Sequence, residues 1–422
     1  MSKEKWQKTT DVFDEYERRF AAARAEKKPF APWKAEDRGK ILSQVKSMLG
    51  YREELLPEIG EMEEVSRTSY GSYDAIQYRY ETWKGFYGAS TLYMPCTEEK
   101  VPLVFVCCGH GSAGRCSDGY MAMGHRLASL GIAAFVMDNI GQGDRNFRSA
   151  EFKAPDHWLA VAPFYCGLTL QGLIVMETVA TVRRMTRDPR FDARRFGACG
   201  NSGGGTLTLF LAALAPELAV LASCGYPSEV SYLLQKERRH CACNLLLGSS
   251  FKAEMWEIYG LFAPKPLLLE GGKHDNLIPQ DLFLRNARKV KNTFVQMDAE
   301  KNFSYKLTDT RHPWALEDVN LISAFMSRNL LGVESVDAEE LFVVEDPSAY
   351  AVKMPDDMLS TAELAHRLTG KKMPEGTELE DVFPPTFKGE KLDPDTIRRD
   401  LGRGDVMRVF AQFECALLKE KE

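Results

Sequence analysis

Positive charge is not in excess in this chain: 54 Lys and Arg stand against 60 Asp and Glu, a formal net charge of −6, and the basic residues are scattered among the acidic ones. A phosphate backbone selects clustered lysine and arginine, so nucleic acid is not an expected partner. Long apolar runs are missing too. The longest, Leu207 to Cys224, is interrupted by Pro216-Glu217 and divides into a helix and a strand, which leaves no span for a membrane. Met1 to Lys8 continues into charged, helix-like sequence without an apolar signal-type stretch, so a soluble, cytoplasmic protein is expected. No internal repeat or low-complexity tract is present.

Metal-binding patterns are nearly absent. Of ten cysteines, Cys107, Cys108, Cys199 and Cys224 lie inside apolar, strand-like runs, where a reduced cysteine is a small hydrophobe, and most are read as free thiols. Cys241-Ala-Cys243 beside His240 is the one metal-like cluster, but it offers three ligands at most and has no second knuckle. Packing is the preferred reading, and no metal is expected.

What is there is an ordinary globular mixture, 44% hydrophobic and 27% charged over 422 residues, enough for one large domain with attachments. Residues 1–65 carry helical spacing, as in Val12, Phe13, Tyr16, Phe20 and then Ile41, Val45, Met48, Leu49, and predict a helical N-terminal arm. From Ser69 the pattern alternates through Tyr70, Tyr73, Ile76, Tyr78 and Tyr80, then Ala89 to Met94, which predicts two antiparallel strands. Continuous apolar runs follow at Val101–Cys108, Ile132–Met137, Arg195–Cys199, Ala219–Ser223 and Pro266–Glu270, with a further strand near Asn302–Leu307. Helical stretches separate them, over 120–130, 168–184, 206–214, 281–290 and 316–330. Strands alternating with helices call for an α/β fold, a mostly parallel eight-stranded sheet covered on both faces. This catalytic domain is placed at 66–332, with a break in rhythm at about 228–259 that suits a cap insertion. Residues 333–422 turn acidic and turn-rich yet keep Leu341, Phe342, Val343, Phe410 and Phe413, so they predict an extension that wraps the core or a neighbouring subunit. Amphipathic arms need a surface to bury, and a homo-oligomer is the corresponding expectation.

The chemistry centres on Gly200-Asn201-Ser202-Gly203-Gly204, which lies between a strand and a helix-like run. Glycines two before and two after a serine let the chain reverse sharply and push the hydroxyl out over the sheet edge, as a nucleophile elbow requires. The same pentapeptide also suits an ordinary turn in which serine caps a helix. Order along the chain separates the two. A serine hydroxyl needs a histidine to take its proton and a carboxylate to fix the imidazole tautomer, and in the α/β-hydrolase arrangement these follow as serine, acid, histidine. Asp275 comes directly after the strand ending at Glu270, and His312 follows the next strand. Histidine is scarce, seven in all, and none other lies between Asp275 and His366. Glu270 falls within its strand and Asp309 is too close to His312 in sequence, so Asp275 is the acid; the competing reading is that it caps the helix after Pro279. An oxyanion hole should use the N–H of Gly203 together with one from Cys108-Gly109-His110-Gly111, supplied by His110 or Gly111. The His110 side chain precedes the elbow and is read as loop packing.

Cys108-Gly-His-Gly111, Asp138-Asn-Ile-Gly-Gln-Gly-Asp-Arg145, Gly200-Asn-Ser-Gly-Gly-Gly205, His240-Cys-Ala-Cys-Asn244 and the Asp275 and His312 loops resemble those of bacterial α/β-hydrolases of the acetyl xylan esterase-like and dienelactone hydrolase-like kind, over residues 70–331. The resemblance implies a cofactor-free Ser-His-Asp carboxylesterase, often acting on acetylated sugars. Ser112 departs from it, standing where a glycine or an aromatic is commoner, and the C-terminal extension lies outside it.

Gly141-Gln-Gly-Asp-Arg145 lacks the third glycine and the helix start of a nucleotide loop and is read as a pocket wall. Arg145, Arg148, His157 and Trp158 are candidates for substrate contact, and Trp256 and Trp314 for an apolar or sugar-stacking surface, with simple packing as the alternative. The partner expected is thus a small-molecule ester. The rival readings are a lactone or small-amide hydrolase with the same triad and, more distantly, a binding protein on this scaffold.

Overall fold

The computed structural model describes residues 24–145, 158–233, 244, 246–249 and 252–372, together with residue 22 and two short strands at 386–387 and 390–391. In chain order the elements that position the site are α1 (Ala35–Leu49), β1 (Met62–Ser69), β2 (Tyr73–Glu81), β3 (Tyr87–Pro95), β4 (Val101–Cys107), α2 (Asp118–Ser129), β5 (Ala133–Met137), α3 (Trp158–Tyr165), α4 (Leu170–Met185), β6 (Phe191–Asn201), α5 (Gly203–Leu214) and β7 (Val220–Cys224). Then come α6 (Val230–Leu233), α7 (Met255–Gly260), β8 (Leu267–Gly272), α8 (Gln280–Gln296), β9 (Phe303–Thr308), α9 (Leu316–Leu330) and α10 (Thr361–Thr369).

The sheet runs β1-β2-β3-β5-β4-β6-β7-β8-β9, antiparallel from β1 to β5 and parallel from β5 onward. Nine strands replace the eight expected. The addition is β1, whose Met-Glu-Glu-Val-Ser-Arg-Thr-Ser sequence is mostly polar and mostly exposed. An edge strand needs only its neighbour's hydrogen bonds, so it carries little of the hydrophobic signal that marks β4 or β5, and it straddles the arm boundary set at residue 65.

The all-buried strands β4, β5, β7 and β8 form the middle of the molecule. One face is covered by α2 and α9, which bury Met121, Leu127, Val319, Ile322 and Met326. The other carries the larger cluster, to which α1, α4, α5, α7 and α8 contribute. Helix α8 shows why: Leu282, Phe283, Ala287, Val290 and Phe294 recur at helical spacing on one buried stripe. Cys107, Cys108, Cys199 and Cys224 are free and buried, as their apolar surroundings predict, and burial pushes the Cys107 thiol up to about 12. No described helix is long and apolar enough to cross a membrane.

The attachments are packed onto this core. Ile41, Val45 and Leu49 of α1 are fully buried, and Lys27 reaches Glu257 at 2.7 Å. Past α9 the chain returns across the sheet edge: Tyr350 is 1% exposed, with its hydroxyl 3.2 Å from His125 Nε2 and 2.8 Å from the Tyr70 hydroxyl. The Val352 amide donates to Asp144 at 2.7 Å. Within the expected cap, α7 packs on α8, α5 and α1 rather than standing clear of the core. His240, Cys241 and Cys243, like the amphipathic run at 406–418, lie outside the described residues.

Candidate active site

Strand order changes direction between β4 and β6: the chain leaves β4 for β5 on one side, and β6 continues the sheet on the other. The loops at the carboxyl ends of these two strands therefore diverge and leave a crevice, the usual ligand position in an open α/β sheet. Gly109-His110-Gly111 follows β4, and Ser202 follows β6.

Ser202 has φ 59° and ψ −118°, one of two non-glycine residues with positive φ among those described. A side chain held there is strained and persists because its surroundings force it. The Ser202 amide donates to the Cys224 carbonyl at 3.1 Å, and its own carbonyl accepts from Thr206 at 2.9 Å, so the reversal is anchored to β7 before and α5 after. A Cβ on Gly204 would run into the Cys107 carbonyl, which explains why the turn tolerates no side chain there. Gly203 opens α5, where N–H groups lack an intrahelical partner and the helix dipole favours negative charge.

Asp275 and His312 come together from the loops after β8 and β9. His312 Nδ1 lies 2.8 Å from Asp275 Oδ2. The other carboxylate oxygen, Oδ1, accepts from the Leu277 and Ile278 amides at 2.7 and 3.1 Å. Asp275 thus caps the following turn and holds the imidazole at once, so the two readings of this residue are not exclusive. With its side chain 1% exposed, the carboxylate is held by two backbone donors and the imidazole. A proton on Nδ1 leaves the lone pair on Nε2, which is buried and has no hydrogen-bond partner among the described residues. The ring borders the elbow: a Cβ on Gly225 would stand 3.4 Å from His312 Cε1, and Asn201, beside the serine, donates from Nδ2 to the His312 carbonyl at 2.9 Å.

The two rejected acids are elsewhere engaged. Glu270 is 3% exposed within β8, accepts from Thr308 Oγ1 at 2.9 Å, and has its carboxyl pushed up to about 8 by burial and by the neighbouring Asp318. Asp309 is exposed and pairs with His274 Nε2 at 3.0 Å.

On the β4 side, His110 lies against the elbow: a Cβ on Gly203 would sit 2.8 Å from His110 Cε1 and Nε2. The Gly111 amide is directed at Gln142 Oε1, 3.3 Å away. Asp138, buried at the end of β5, accepts from the Arg115 amide at 2.7 Å and pairs with the Arg115 guanidinium, which also reaches Asp144 at 2.7 Å and the Tyr350 carbonyl at 2.5 Å.

Arg145, a candidate for substrate contact, is engaged within the fold instead. It is 1% exposed and makes a two-pronged pair with Glu177 at 2.7 and 2.8 Å, with a further bond to the Asp138 carbonyl at 2.9 Å. A planar guanidinium matched to a carboxylate is how a cation survives burial. Trp314 is also packing rather than surface: it is 7% exposed and meets Tyr120 edge-on at 5.4 Å. Trp256 is half-buried against the larger core cluster. Arg148, His157 and the Trp158 side chain lie outside the described residues. Sequence reasoning missed Tyr120, Asn201, Gln142 and the Arg115–Asp138 pair. Asn201 lay beside the serine, and Asp138 and Gln142 in the 138–145 motif, but only as members of those segments.

Residues 61–238 match the family model of acetyl xylan esterases. No curated protein matches the chain. Among solved structures, the chain superposes on a Bacteroides fragilis protein described as a candidate acetyl xylan esterase, with 13% identity over 68% of this chain and 80% of that one and a TM-score of 0.56. A methylesterase aligns with 18% identity over 91% of this chain and 76% of its own, TM-score 0.54. A glucuronoyl esterase from Solibacter usitatus aligns with 11% identity over 70% and 93%, TM-score 0.51. At such identities the structural likeness is one of fold. With the family match, it bears out the resemblance read from the sequence.

Proposed function

We propose that this chain, an α/β-hydrolase-type carboxylic ester hydrolase similar to acetyl xylan esterases, hydrolyses small acyl esters, acetylated carbohydrates among them, through Ser202, His312 and Asp275. The observation that carries the reading is the His312 imidazole, tied at Nδ1 to Asp275 at 2.8 Å with a buried Nε2 that has no partner among the described residues, bordering an elbow strained at Ser202.

In this mechanism Ser202 Oγ attacks the ester carbonyl carbon while His312 Nε2 takes its proton, and the electron pair moves to the carbonyl oxygen. The Gly203 N–H receives that charge at the start of α5. The second donor comes from the loop after β4, the His110 or the Gly111 amide, the latter also directed at Gln142. Collapse of the tetrahedral species expels the alcohol, which takes the proton from His312, and leaves an acyl-serine. Water, deprotonated by the same nitrogen, then releases the acid and restores Ser202. Asp275 stabilises the imidazolium in both halves without itself taking the proton.

Replacing Ser202 by alanine should abolish hydrolysis of p-nitrophenyl acetate and of acetylated xylose while circular dichroism stays unchanged. Turnover equal to the native rate would refute the assignment. The same panel with lactones and aminoacyl anilides separates ester from lactone or amide substrates.

A further inference from the structure

We infer, on the functional reading above, that Tyr120 is a positioning residue for the reaction: its hydroxyl locks the loop carrying the second oxyanion donor to the elbow carrying Ser202. Tyr120 lies in the first turn of α2, and its hydroxyl accepts a hydrogen bond from the Gly109 amide at 2.5 Å. The same oxygen donates toward the Asn201 carbonyl at 3.4 Å. A Cβ placed on Gly109 would be 2.5 Å from the Tyr120 oxygen and 3.0 Å from Ser202 Cβ, so phenol and serine border the same backbone position. The ring edge meets Trp314 at 5.4 Å with an interplanar angle of 68°, two residues beyond His312. One side chain therefore touches the loops that follow β4, β6 and β9.

Those loops follow different strands, so their spacing at the serine depends on contacts made between them. An oxyanion donor stabilises the transition state only when it already sits within hydrogen-bonding distance of the developing charge, so this spacing is part of the chemistry. By engaging Gly109 N–H, Tyr120 also withdraws that amide from the hole. Accepting from one loop while donating to another requires a neutral phenol, and burial holds Tyr120 far above its ordinary value, so the hydroxyl keeps its proton.

The test is Tyr120→Phe, which keeps the ring edge on Trp314 and removes only the oxygen. Two rates are read: steady-state turnover of p-nitrophenyl acetate, and labelling of Ser202 by a fluorophosphonate, which needs no knowledge of the natural ester. Both should fall about tenfold, the worth of one hydrogen bond, with KM changed by less than about twofold. The acid limb of the pH profile should not move, because the His312–Asp275 pair is untouched. Unchanged kcat and labelling rate, with or without a lower melting temperature, would make Tyr120 merely structural and overturn the inference. Native protein whose Ser202 resists the probe would instead overturn the functional reading on which it rests.

Discussion

Glu270 lets a single proton be followed through the stability of the whole fold. Its carboxyl lies within β8, 3% exposed, and a relay of hydroxyls connects it to a second buried acid. Thr308 Oγ1 bonds Glu270 at 2.9 Å and meets Thr310 Oγ1 at 2.8 Å, and Thr310 donates to Asp318 at 3.1 Å. Two carboxylates so placed cannot both ionise cheaply, and Asp275 adds negative charge nearby. The displacement from an ordinary 4.5 to about 8 corresponds, at about 1.4 kcal/mol per unit, to on the order of 5 kcal/mol. The sign follows from proton counts. Between these values the folded chain holds a proton that the unfolded chain releases, so stability falls as pH rises and levels off above the folded value. Glu270→Gln keeps an acceptor for Thr308 and removes the titration. In urea unfolding from about pH 5 to about pH 9, the native protein should lose stability at up to about 1.4 kcal/mol per pH unit, while the variant declines less steeply and gains on it. Parallel curves would refute the reasoning, because they would mean that Glu270 is ionised in the fold.

Asp275→Asn should leave the turn through Leu277 and Ile278 intact, since an amide oxygen still accepts, yet favour the wrong imidazole tautomer. A fall in kcat of about 10³ to 10⁴ with little change in melting temperature is expected from steady-state assay. Glu177→Ala leaves the Arg145 guanidinium buried and unpaired, so chemical denaturation should show a loss of about 3–5 kcal/mol. Normal labelling of Ser202 in the folded fraction would confirm that Arg145 serves the fold rather than the substrate.

The legible parts of this protein are those whose cause is local. Val101–Cys107 and Leu267–Gly272 read as central strands because a strand buried on both faces must be apolar throughout. The turn at Ser202 was visible because a reversal between strand and helix needs small residues at fixed places, and Asp275 and His312, which meet at 2.8 Å, were singled out by their places after successive strands. Strand β1 stayed hidden because pairing at an exposed edge asks nothing of side-chain polarity. The burial of Arg145 was not legible, because a charged residue in a loop is normally solvated and nothing near it in sequence announces Glu177, 32 residues away.

By itself, then, the amino-acid order determined the alternation of strands and helices, the glycine-flanked turn at Ser202 and the succession of Ser202, Asp275 and His312 along the chain, since propensity, turn chemistry and chain order act over short distances or along the chain. Only the tertiary structure decided that Asp275 both caps a turn and holds His312, that Tyr120 joins three loops, and that the segment around Tyr350 closes over Arg115. Each of these depends on groups brought together by packing across the sheet, where distance in space is independent of distance in sequence.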